Sequence, residues 1–142
     1  QTRRFAAAIA SGSISNMASA WGDSWDDGES ETIPWIERTD YPQSRVGSSP
    51  WQRRDRLIEN SPFFYLDRVE TPLLLVHGEI DPVSVLQADQ TYFGLRRLGK
   101  TVEYARYANA GHNMTDPANE LDLLQRRIAW FDRFLKAVPT KP

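Results

Sequence analysis

Thr71-Pro-Leu-Leu-Leu-Val-His-Gly-Glu-Ile-Asp81 decides the fold. Leu73 to Val76 is an unbroken apolar run between a Thr-Pro turn and Gly78, with none of the polar alternation of a strand that faces water on one side. Such a run is expected of a central strand in a parallel sheet, covered on both faces. Downstream, Val85, Ala88, Tyr92 and Leu95 recur at helical spacing and Leu98-Gly99 supplies a stop. Val102-Glu-Tyr-Ala-Arg-Tyr107 is rich in β-branched and aromatic residues and reads as the next strand. Leu121, Leu124, Ile128, Phe131 and Leu135 then form an apolar stripe on a long helix, opened by Asp116-Pro117 and ended by Pro139. Strand, helix, strand, helix is the order of an α/β protein: a mostly parallel sheet with flanking helices.

The first half is less regular. Phe5-Ala-Ala-Ala-Ile-Ala10, closed by Ser11-Gly12-Ser13, reads as a strand buried on both faces, although three alanines also suit a short helix. Residues 17 to 60 hold four of the five Trp, several prolines and the acidic patch around Asp26-Asp27-Gly28-Glu29, and predict short helices separated by turns. Trp51 to Asn60 is one such helix, started by Ser49-Pro50. The acidic patch has oxygen ligands of the kind Ca²⁺ prefers but lacks an EF-hand spacing, so it reads as a solvated loop.

Composition narrows the function. The 142 residues include 17 basic and 19 acidic ones, a net charge of −2 that gives no electrostatic reason for nucleic acid or an anionic membrane as partner. Without Cys there are no disulfides, thiolate metal sites or Cys nucleophiles. No apolar run approaches the roughly 18 residues that read as a membrane-spanning helix, and no cofactor motif is present. The chain opens on Gln1, not Met, which reads as a cut from something longer.

In an open parallel sheet, reactive groups collect past the carboxyl ends of the strands. Asp81 follows the first clear strand and His112 the second, 31 residues later. That interval is about what one helix, one strand and two short loops consume, so both side chains emerge at one edge. A His there can take a proton from a hydroxyl nucleophile at neutral pH, and a carboxylate on its other nitrogen fixes the tautomer. Taken singly, Asp81-Pro82 is an ordinary turn and His112 an ordinary loop residue. Together they have the order and placement of an acid and base. His77, the only other His, reads as a strand-end residue packed under the loop.

The stretch from Ser61-Pro62 through Thr71-Pro-Leu-Leu-Leu-Val-His-Gly-Glu-Ile-Asp81 resembles the segment leading to the catalytic Asp in the prolyl oligopeptidase family of serine peptidases. Gln87, Leu98-Gly99-Lys100, Ala110-Gly111-His112 and Trp130-Phe-Asp-Arg-Phe-Leu135 resemble the same family, and Phe5 to Ala10 is similar to its strand after the nucleophile elbow. The resemblance implies that residues 1–142 are the C-terminal part of an α/β-hydrolase domain, with Asp81 as triad acid and His112 as general base. It also implies a short peptide substrate and, as partner, the N-terminal part of the same protein. Trp21 and Trp25, spaced i, i+4, can share one helix face with Met17 a turn before, and they fall in the region that lines the family's substrate pocket. Two departures stand out: the loop after Asp81 is one residue shorter than usual, and no Gly-x-Ser-x-Gly occurs. The elbow Ser is expected roughly 12 residues before the Phe5 strand, ahead of Gln1.

Three functions follow as expectations. The chain contributes Asp and His to a serine peptidase and is inactive alone; or it is a non-catalytic module that associates through an exposed sheet edge; or the same fold hydrolyses an ester or thioester.

Overall fold

The computed structural model describes residues 4–23, 32–38 and 46–136. Three strands, β1 (Ala8–Ser11), β2 (Leu73–Gly78) and β3 (Val102–Tyr107), form one all-parallel sheet in the order β1-β2-β3. Ala8 pairs with Leu73 and Ser11 with Val76; across the other side Leu73 pairs with Val102 and Gly78 with Tyr107. Five helices, α1 (Met17–Ala20), α2 (Thr32–Glu37), α3 (Arg54–Glu59), α4 (Leu86–Arg97) and α5 (Pro117–Leu135), and a 3₁₀ segment at Pro62–Arg68 complete the described elements.

The strand period divides the core in two. Leu74 and Val76 point to one face and pack with Ala105, Tyr107, Leu123 and Trp130, so α5 covers that side. Leu75 points to the other and packs with Leu66, Leu95 and Val102, under α4 and the 3₁₀ segment. β2 is therefore buried on both faces, as its unbroken apolar run requires. A separate small core of Ala20, Ile36, Val46 and Leu57 joins α1, α2 and α3.

Local chemistry sets the boundaries. Asp116 caps α5, its Oδ1 accepting from the N–H groups of Ala118 and Asn119 at 3.0 Å, with Pro117 in the first turn. α4 ends in a Schellman motif: the Lys100 N–H donates to Leu95 O at 2.9 Å and the Gly99 N–H to Arg96 O at 3.1 Å, around Gly99 at φ +67°.

Four expectations are corrected. β1 starts at Ala8, leaving Phe5 exposed, and Ala8 to Ala10 are half-buried with Ser11 exposed, because among the described strands it has a neighbour on one side only. The helix expected from Trp51 is α3, which starts at Arg54, residues 50–52 forming a turn. Trp21 is the C-cap of α1, extended at ψ 120°, and Gly22 follows at φ +85°, so no helix carries Trp21 toward position 25. The largest correction concerns α5. Its expected core stripe is exposed, with Leu121, Leu124, Ile128 and Leu135 each more than half accessible. The helix is held instead by Leu123, Trp130 and Phe134, and the Trp130 indole N–H donates to Ala8 O at 3.1 Å. α5 carries apolar residues on two faces, and periodicity reports both without saying which meets the sheet.

Gly78 closes β2 where the loop after β3 crosses it. A Cβ there would overlap the Ala110 carbonyl, which is backbone and cannot swing aside. Gly78→Ala is expected to lower stability by about 1–3 kcal/mol, the usual cost of overpacking, measured by urea denaturation; an unchanged midpoint would contradict this close approach.

Candidate active site

The carboxyl edge of the sheet gathers three loops. After β2 the chain turns through Glu79 and Ile80, whose N–H groups donate to Tyr107 O and Ala110 O, both at 3.0 Å. These bonds tie the loop carrying Asp81 to the loop carrying His112. After β3, Asn109 adopts φ 57°, Ala110 is buried, and Gly111 leads to His112. After β1, the Gly12 N–H donates to Val76 O at 3.0 Å, bringing Gly12 beside both side chains.

Asp81 and His112 meet. His112 Nδ1 lies 3.1 Å from each carboxylate oxygen of Asp81, so the carboxylate fixes Nδ1 as the protonated nitrogen. Asp81 Oδ1 also accepts the Val83 N–H at 2.8 Å. The loop one residue shorter than expected leaves the pair intact. The two partners differ in exposure: the Asp81 side chain is 1% accessible and that of His112 53%. An imidazole so held can exchange a proton at Nε2 with a group in solvent.

His77, expected under the loop, is buried in β2 with Nε2 2.8 Å from Val83 O and 3.7 Å from Asp81 Oδ2.

Beside His112 opens a cleft of about 730 Å³, within the range of small-molecule sites. Ile14, Met17, Ala20, Trp35 and Val83 give it apolar walls, and Asp23 and Arg38 also line it. Trp21, expected to line a substrate pocket, stands against Trp51 edge-on at 4.9 Å and donates from Nε1 to Glu37 at 2.9 Å; it is not among the described residues lining the cleft. Trp25 and the acidic patch lie outside the described residues. Sequence reasoning missed Gly12 and Trp35, while Met17, a turn before Trp21, does line the cleft. Of these two only Gly12 carries a signal, a glycine at the carboxyl end of a strand.

The base of the His112 loop is braced from α5. The Tyr107 hydroxyl donates to Asp122 Oδ2 at 2.7 Å, and Arg126 donates to the same oxygen at 2.7 Å. Burial, then the hydrogen bond and charge of Asp122, push the Tyr107 phenol up to about 12, while Arg126 and then Tyr107 hold the Asp122 carboxyl below its ordinary value. Among the described residues no group of three His, Asp or Glu could hold a metal ion.

A parallel sheet with helices on both faces, and an Asp–His pair at its carboxyl edge, define the α/β-hydrolase class. The family follows from comparison with known proteins: residues 1–138 match the model of the prolyl oligopeptidase family, and the chain belongs to that family. It is 34% identical over 139 residues to the uncharacterized peptidase YuxL of Bacillus subtilis, covering 95% of this chain and 20% of that protein. It is 27% identical over 139 residues to dipeptidyl-peptidase 5 of Porphyromonas gingivalis, covering 94% of this chain and 19% of the relative. The structure of Pyrococcus horikoshii acylaminoacyl peptidase superposes with a TM-score of 0.79 at 25% identity, over 100% of this chain and 22% of the other. The chain thus spans about a fifth of the length of these relatives.

Gly12 tests the packing of the pair. A Cβ there would fall 2.7 Å from His112 Cε1 and 2.9 Å from Nδ1, and the backbone sits at φ +53°. Gly12→Ala is expected to push the imidazole off Asp81, seen in a crystal structure of the variant as Nδ1 to carboxylate distances beyond hydrogen-bond range; an unmoved ring would refute the contact.

Proposed function

We propose that this chain supplies the acid and the base of a Ser-His-Asp triad that hydrolyses peptide bonds, in a longer protein whose preceding residues supply the Ser and the oxyanion hole. The observation that carries the reading is the Asp81–His112 pair, with Nδ1 at 3.1 Å from both oxygens of a buried carboxylate. Family membership and the similarity to peptidases support the choice of substrate class.

In the proposed reaction the Ser oxygen attacks the peptide carbonyl carbon as its proton passes to His112 Nε2. The imidazolium so formed is stabilised by the Asp81 carboxylate, which does not itself take up the proton. Collapse of the tetrahedral intermediate breaks the C–N bond, and Nε2 returns the proton to the departing amine. Water then hydrolyses the acyl-enzyme by the same steps, which restores the Ser. The apolar cleft walled by Ile14, Met17 and Trp35 holds the side chain preceding the scissile bond.

Two outcomes are expected. In the full-length protein, Asp81→Asn lowers kcat by roughly 10⁴-fold by presenting the wrong tautomer, and His112→Ala abolishes turnover while circular dichroism stays unchanged; retained turnover in either variant would remove that residue from the triad. A fluorophosphonate probe labels a Ser within a Gly-x-Ser-x-Gly upstream of Gln1 and leaves the 142-residue chain alone unlabelled. Labelling of the isolated chain would show that it carries its own nucleophile.

A further inference from the structure

β2 spends one of its best-buried positions on an imidazole. Leu74, Leu75 and Val76 are the expected contents of a central strand, but His77, next along it, is 1% accessible and carries two polar nitrogens into the same interior. One of them has no hydrogen-bond partner among the described residues: Nδ1 is buried and bare. A packing role alone gives no reason for a ring in preference to an aliphatic side chain of similar size.

The other nitrogen supplies the reason. Nε2 lies 2.8 Å from Val83 O. A carbonyl only accepts, so Nε2 carries the proton and the ring is the Nε2–H tautomer. Val83 is the residue whose own N–H donates to Asp81 Oδ1 at 2.8 Å. It is therefore held from both sides, by His77 through its carbonyl and by the acid through its amide. The same Nε2–H lies 3.7 Å from Asp81 Oδ2, beyond hydrogen-bond range but with its positive end near the carboxylate. The intervening residue, Pro82, has no N–H with which to anchor the turn. The remaining backbone tie at the acid, Asp81 N–H to Gly78 O, is long at 3.3 Å.

We propose that His77 is a positioning residue: by gripping the Val83 carbonyl it sets where the Asp81 carboxylate stands and so where His112 is held. The proposal rests on the triad reading above for its effect on turnover. Its geometric part, that the His77 N–H fixes the Asp81–His112 hydrogen bond, is separate from whether that pair hydrolyses peptides.

The test compares His77→Gln, whose amide can place an N–H near the Nε2 position, with His77→Leu, which fills space without a donor, both in the full-length protein. His77→Leu is expected to lower kcat roughly 10- to 100-fold, the cost seen when a metal ligand loses the partner that orients it and taken here as the scale for an orienting group, with KM little changed, and His77→Gln to recover most of the loss. The far-downfield proton resonance of the Asp81–His112 hydrogen bond is expected in the wild type and His77→Gln and absent in His77→Leu. Wild-type kcat and resonance in His77→Leu would overturn the proposal, as would equal impairment of two folded variants, because shape rather than the N–H would then matter. Should His77→Leu fail to fold, His77→Gln decides: a folded variant that keeps kcat and the resonance supports the grip on Val83, and one that loses them overturns it. If Asp81→Asn proves fully active, the triad reading falls, while the resonance still reports whether His77 holds Asp81.

Discussion

The site depends on the contact between two loops at the carboxyl edge of the sheet. Neighbouring parallel strands bring their following loops to the same edge, but adjacency does not bring two side chains within hydrogen-bond distance. Here the extra closeness comes from backbone. The loop after β3 lies against Gly78, where any side chain would collide with Ala110, and the Ile80 N–H donates to the carbonyl of that same Ala110. One missing Cβ, with the Glu79 and Ile80 hydrogen bonds, thus brings the loops of Asp81 and His112 together. Most other features of the site are supports for that junction: the Tyr107 hydroxyl bond to Asp122 holds the strand end below it, and Gly12 leaves room beside the ring.

Much of this was legible in the residues. β2, β3, α4 and the capped start of α5 are sites where local chemistry and hydrophobic pattern agree, and such agreement is what makes a sequence readable. The Asp81–His112 pair was legible for a topological reason: strand–helix–strand spacing places both at one edge, whatever the side chains do. The face of α5 was not legible. Leu121 to Leu135 and Leu123 to Phe134 are both apolar sets, and the choice between them rests on the size of Trp130 and its hydrogen bond to Ala8, a partner 122 residues away. The cleft was hidden for a similar reason. Met17 and Trp35 sit on short helices whose placement comes from a small core assembled from residues as distant as Ala20 and Leu57, and no local period encodes that assembly.

α1 shows how such a segment is held. The buried Gln87 side chain in α4 accepts from the Ser15 and Asn16 N–H groups at 3.2 and 2.9 Å, and the Ser61 hydroxyl accepts from the Met17 N–H at 2.9 Å. The α1 wall of the cleft is therefore fastened to the same helix that packs on β2 and β3, across more than 70 residues of chain. A four-residue helix has little stability of its own, so these side-chain bonds to backbone do the placing. Gln87 is part of the family likeness, and its physical office is to satisfy two backbone donors that would otherwise be buried without partners.

The unequal exposure of Asp81 and His112 follows from what each must do in the proposed reaction. The acid has to present its carboxylate from one position through every turnover, and burial serves that end provided its charge is compensated. The Val83 N–H and His112 Nδ1 supply direct compensation, and the His77 Nε2–H stands a further step away. A low-dielectric setting strengthens the attraction between carboxylate and imidazolium when the ring takes up a proton. The base has the opposite requirement. In that proposed reaction its Nε2 meets a hydroxyl and then an amine, so its outer half has to face open space. A buried pair would lack access and an exposed pair would lack both strength and fixed direction. Placing the acid just past the central strand, and the base on the loop after the neighbouring strand, gives each the surroundings it needs within a single hydrogen bond.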